Sequence, residues 1–238
     1  MPQQWSSIFR VLRSAAVLAF FAALIFNCAG CGDLANAFTD MTGTKVPAQY
    51  TGLANHSVAI VVYADDSITF MYPQVRDEVS SFLSDQIQKN VPSARLLDYH
   101  LVTAYQDQTM NWQSLPIKSI GNHFSVDRVL YVEVVAYTTH AAGSSDLLQG
   151  HIEANISVYD TQIPGDGQEF KTLVDVYSPS NGPAPSLNAD ENTVRMDALN
   201  EFSRDVVHNF YTWRNTDQDQ QQGQENTGNN ESGNFTNQ

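Results

Sequence analysis

Past residue 31 the sequence has no cysteine: Cys28 and Cys31 are the only two, and both lie near the N-terminus. The rest of the chain therefore has no thiol for a disulfide framework, a cysteine-ligated metal or a nucleophile. Basic residues are also scarce. Twelve Lys and Arg stand against 26 Asp and Glu, a formal net charge of −14 over 238 residues, and the cations from Lys45 to Arg214 are scattered singly. Binding to a phosphate backbone draws its affinity from clustered cations, so this pattern argues against nucleic acid as a partner. It argues equally against a polybasic grip on anionic lipid. No Gly-x-Ser-x-Gly elbow or dinucleotide fingerprint occurs, and Gly43-Thr44-Lys45 lacks the preceding glycine and strand of a phosphate loop. The six histidines, His56, His100, His123, His140, His151 and His208, show no zinc-site spacing. Nothing calls for a cofactor.

What is present begins with an export signal. Residues 1–30 carry a polar start with Arg10 and Arg13, an apolar run from Ala15 to Phe26, and small residues Ala29 and Gly30 before Cys31. A bilayer span needs about 20 apolar residues, and this run is much shorter, so a cleaved leader is expected. Its removal takes the formal charge from −14 to about −16, because Arg10 and Arg13 are its only charged residues. The stretch Cys28-Ala29-Gly30-Cys31 resembles the lipobox of bacterial lipoproteins, in which Leu and two small residues precede the modified cysteine. Cys28 stands where Leu is usual. The resemblance implies lipidation at Cys31, a palmitate-type anchor in a membrane of the cell envelope, and a domain on the periplasmic side.

Residues 31–55 read as a flexible tether, residues 56–213 as one α+β domain, and residues 214–238 as a disordered acidic tail rich in Gln and Asn. Within the domain, Val58-Ala-Ile-Val-Val-Tyr63 is a continuous run that suits a strand buried on both faces. A loop from Ala64 to Met71 follows. Pro73 suits the start of a helix, and Val75, Val79, Phe82, Leu83 and Ile87 recur at helical spacing up to Asn90 and Pro92. A short strand is expected around Ala94 to Leu97. Trp112, Leu115, Ile117 and Ile120 suggest one irregular helix, bent or begun at Pro116 and closed by Gly121. Three strands over residues 126–138, 150–160 and 169–177, joined by short polar connections, should pair antiparallel. A final helix follows, with a capping box at Asn188 and Glu191 and a stripe of Val194, Leu199, Phe202, Val206, Phe210 and Trp213. The expected order is β-α-β-α-β-β-β-α, a mixed sheet with helices packed on it.

Period-two alternation divides the three later strands into two faces. Leu130, Val132, Val134, Ile152, Ala154, Ile156, Val158 and Val174 belong under the helices. The opposite face carries Tyr131, Glu133, Tyr137, His151, Glu153, Tyr159 and Tyr177. Several tyrosines on one amphipathic surface have the composition of a contact site, and this set is the candidate binding face. His151 is expected opposite Glu133 or Tyr137.

The order of elements, with Gly121 closing a helix and Asp127 preceding the apolar strand, resembles a group of envelope proteins. It includes the amino-terminal domain of TolB, the curli secretion lipoprotein and the lipoprotein activators of penicillin-binding proteins. The resemblance implies a non-enzymatic accessory role, made through contact with another envelope protein and through the membrane anchor. The alternative is a small metal-dependent hydrolase centred on Asp65 and Asp66, adjacent carboxylates that follow the first strand.

Overall fold

The computed structural model describes residues 44–185 and 189–215. The leader, Cys31, the tether up to residue 43, Asn188 and the tail from residue 216 lie outside the described residues. Among the described residues, 44, 45, 214 and 215 belong to one unit and 46–213 to another. Thr44–Val46 and Trp213–Asn215 form a two-stranded ribbon. Everything below concerns the second unit.

That unit is an α+β mixed sheet with helices packed on it. Its strands are β1 (Ser57–Ala64), β2 (Arg95–Leu96), β3 (Arg128–His140), β4 (Leu147–Asp160), β5 (Gln168–Ser178) and β6 (Ala184–Pro185). Its helices are α1 (Asp66–Met71), α2 (Val75–Asn90), α3 (Tyr99–Gln108), α4 (Ile117–His123) and α5 (Glu191–His208). The sheet runs β2-β1-β3-β4-β5, with β6 paired to β4 beyond the end of β5. β1 is parallel to β2 and β3, and β3, β4 and β5 are antiparallel, as their short connections require.

β1 is central because its β-branched run can be buried on both sides. Val58, Ile60 and Val62 enter the larger core under α2 and α5. Ala59 and Val61 enter a second core with Val102, Trp112, Ile120, Val126 and Val129, under α3 and α4. Along α2, Val75, Val79, Leu83 and Ile87 recur every four residues and are all fully buried, which makes that face continuous with the sheet. In α5 the same spacing buries Val194, Ala198, Phe202 and Val206, with Leu199 buried beside them. Its N-cap is Asp190, whose carboxylate accepts from the Thr193 amide at 2.9 Å.

Several elements differ from the sequence pattern. α1 falls within the expected loop after β1; it buries no residue, so no apolar period marks it. α3 was equally invisible to periodicity, because it buries only Val102 and Gln106. Gln106 Nε2 donates to the Val62 carbonyl at 2.9 Å, a polar anchor where a core residue would be apolar. The expected irregular helix is two pieces, a 3₁₀ turn at Trp112–Ser114 and α4 after Pro116. Gly121 lies inside α4 rather than closing it. A Cβ there would lie 2.5 Å from methyl carbons of Val129 and Thr161, so the glycine allows α4 to approach the sheet. The packed chain also starts ahead of His56: Leu53 is fully buried and the Tyr50 ring stacks on Phe170 at 5.5 Å.

Candidate functional site: the open half of the sheet

α3 and α4 cover the second face of the sheet over β1, the start of β3 and the end of β4. Beyond them no described element covers the outward residues of β3, β4 and β5. Registers Tyr131↔Ser157↔Lys171, Glu133↔Asn155↔Leu173, Ala136↔Glu153↔Asp175 and Thr138↔His151↔Tyr177 line up these positions as rungs. Tyr131, Glu133, His151, Glu153, Tyr159 and Tyr177 therefore share this face.

Tyr137 does not. Between Val134 and Ala136 the pairing of β3 with β4 slips, leaving Val135 as an extra residue in β3. Such a bulge reverses the inward and outward phase of everything after it. Val135 turns outward at 50% exposure, and Tyr137 turns into the main core at 3%. There its hydroxyl donates to Glu78 Oε2 at 2.9 Å, and Glu78 Oε1 lies 3.0 Å from Arg195 Nη1. The tyrosine ties β3 to α2 and α5.

The same slip removes His151 from the pairing expected with Glu133 or Tyr137. Its Cα partners are Thr138 and Tyr177. His151 Nε2 is 2.9 Å from Asp175 Oδ1, and its ring lies flat on Tyr177 with centroids 4.1 Å apart. Glu133 accepts from Asn155 Nδ2 at 3.1 Å. Val135 and Leu173 add apolar area to the face, Leu173 at 54% exposure.

Where α4 meets the open face, Tyr131 and Tyr159 pack edge to face with centroids 6.4 Å apart. They wall a groove of about 500 Å³ whose other sides include Leu115, Ile117, Asn122 and Asp166. Lys118 Nζ, on its rim, donates to the Ile163 carbonyl.

The tyrosines carry a pH dependence. Burial and donation to Glu169 push the Tyr50 hydroxyl up to about 12, and burial, with Glu78 as the next cause, pushes that of Tyr137 up as well. Burial also raises Tyr131, with Glu133 beside it. An unfolded tyrosine ionises near pH 10. Above that pH the folded state holds protons that the unfolded state has released, so stability is fully present below about pH 10 and is lost as pH rises toward 12. Tyrosinate absorbance and circular dichroism should then change together above pH 10; tyrosines that all ionised near 10 with the helix signal intact would contradict this.

Asp65 and Asp66 stand at the N-terminal end of α1. Both are exposed. Asp65 is the N-cap of α1, accepting from the Ile68 amide at 2.8 Å and the Ser67 hydroxyl at 2.7 Å, and these bonds hold its carboxyl below the usual range. Among the described residues no group of three His, Cys, Asp or Glu could hold a metal ion, and no helix is long and apolar enough to cross a membrane. Asp127 also has a structural role. It accepts from the Ser57 amide at 2.8 Å and hydroxyl at 2.7 Å, joining the starts of β1 and β3.

The molecule is thus an α+β protein with a half-covered sheet. No family model matches the sequence, and no curated protein matches it. Among solved structures, it is similar to lipoprotein GNA1162 from Neisseria meningitidis, at 14% identity and a TM-score of 0.39, over 64% of this chain and 95% of that one. It is also similar to the PelC dodecamer from Paraburkholderia phytofirmans, at 8% identity and a TM-score of 0.41, over 71% and 98%. A third is the LpoB C-terminal domain from Salmonella enterica, at 12% identity and a TM-score of 0.35, over 54% and 87%. The reading below rests on the chain's own sequence and geometry.

Proposed function

We propose that the protein is a lipoprotein of the bacterial envelope, anchored through Cys31 with its domain on the periplasmic side, and that it works without catalysis by binding another envelope protein. Residues 1–30 are the leader, the segment that follows links the anchor to the α+β domain, and the acidic tail leaves it at the C-terminus. The observation that supports the binding role is the half-sheet that no described element covers. Tyr159, Tyr177, Val135 and Leu173 supply apolar area there, while Glu133, His151 and Glu153 supply polar contacts. Rigid aromatic side chains with two rotatable bonds give large contact area at low entropic cost.

Replacing Tyr159 and Tyr177 together by Ser is expected to abolish crosslinked capture of the envelope partner in cells while shifting the thermal midpoint by only a few degrees. Unchanged capture would refute the binding face. In the same cells, Cys31→Ser should release the protein from the membrane fraction or leave it with its leader attached, whereas Cys28→Leu should process at least as well as the original chain. Full membrane retention of a processed Cys31→Ser protein would refute the anchor.

A further inference from the structure

The two edges of the sheet are unlike. β2, at one edge, is two residues long, a length that offers almost nothing to a passing strand. β5, at the other, is 11 residues long, and no described strand pairs along its outer side. Its unpaired amides and carbonyls are a template for a further strand. Edge strands of this length are usually blunted by a bulge, a proline or an outward lysine. β5 has no proline, and its bulge is confined to its first residues, beside Tyr159. Lys171 does stand in mid-strand, but so does Asp175, on the same face and four residues away, with the exposed Leu173 between them.

This order is self-complementary. We propose that two copies of the chain pair antiparallel along β5, about a two-fold axis at Leu173, joining their sheets into one. Leu173 then meets Leu173 of the second copy. Lys171 lies opposite Asp175 of the second copy, and the relation repeats on the other side of the axis. His151 occupies only Asp175 Oδ1, leaving the second carboxylate oxygen for the lysine.

Neighbouring registers are worse. An axis at Thr172 sets Lys171 opposite Leu173, and one at Val174 sets Leu173 opposite Asp175 and Lys171 opposite Tyr177. Each places a charge against an aliphatic side chain and loses the Lys171–Asp175 pairs. On the covered side, α5 packs over both β4 and β5. With strands about 4.8 Å apart, the two-fold brings the two copies of α5 to about 10 Å, an ordinary distance for packed helices. The pairing would also extend the open face across both copies, although it does not depend on the envelope partner proposed above.

The test uses the full chain in detergent, at up to about 100 µM, followed by sedimentation. The unsubstituted protein should dimerise. Lys171→Asp and Asp175→Lys should each weaken the dimer by at least about tenfold, and the two together should restore it to within about threefold. Under oxidant, Leu173→Cys should form a disulfide-linked dimer, and Lys171→Cys should not, beyond what Cys28 and Cys31 give in the unsubstituted chain. A monomer throughout, a double variant as weak as the singles combined, or equal crosslinking from both positions would overturn the proposal. So would a crosslink from Leu173→Cys in membranes to a different protein with no dimer of this chain.

Discussion

Arg128→Ala should lower the unfolding free energy by about 3–5 kcal/mol, read from urea denaturation followed by tryptophan fluorescence. Arg128 begins β3 on the α2 and α5 side of the sheet, with only 8% of its surface exposed, opposite Asp160 at 5%. Its Nη1 lies 2.5 Å from Asp160 Oδ2, and its Nε lies 3.5 Å from Glu169 Oε2. Tyr50 donates to the same Glu169 oxygen at 2.5 Å. The guanidinium therefore stands between two carboxylates at the edge of the core.

An intact buried ion pair contributes little net stability, since the cost of desolvating both charges offsets their attraction. Removing one partner is different, because the other remains in a medium that solvates it poorly. Asp160 keeps one bond, from the Gln162 amide at 2.6 Å, which falls short of replacing the arginine. Two further variants separate charge from volume. Arg128→Met keeps most of the packing and should still be strongly destabilised, whereas Asp160→Asn added to Arg128→Ala should recover part of the loss. A loss below about 1 kcal/mol for Arg128→Ala would mean that water reaches the pair freely.

The arginine also shows what the sequence makes legible. A charged residue opening the apolar run from Val129 gives no sign of being buried, because its acidic partners lie 32 and 41 positions further along the chain. What could be read was whatever repeats locally. The β-branched run of β1 and the helical spacing of apolar residues in α2 and α5 both indicate their elements, and the antiparallel order of β3, β4 and β5 follows from short connections. Elements that bury little, such as α1, carry no such repeat. Gly121 reads as a helix stop, yet it sits within α4, where its missing Cβ matters to Val129 and Thr161. Asp65 was conspicuous because it adjoins Asp66, yet its bonds go to the next turn of its own chain.

The sequence could least reveal the phase of β3 after Val134, and that is where substitution should be most telling. Val134, Val135, Ala136 and Tyr137 are all compatible with either face, so alternation carries straight through the bulge and places Tyr137 beside Tyr131 and Tyr177. The structure separates them. Tyr137→Ser should cost about 3–5 kcal/mol, because it removes an aromatic ring from a packed site and leaves Glu78 and Arg195 without its hydroxyl. The ring also abuts Tyr72, with centroids 4.8 Å apart, so that contact is lost as well. Tyr177→Ser, on the open face at 45% exposure, should cost no more than about 1 kcal/mol, mostly its stacking on His151. Tyr137→Phe divides the larger effect: it keeps the ring and should lose only about 1–2 kcal/mol for the hydrogen bond. Measured by urea denaturation side by side, equal costs for Tyr137→Ser and Tyr177→Ser would show that β3 continues its alternation without the bulge. In that case Tyr137 would belong to the open face, and the link from β3 through Glu78 to α5 would not exist.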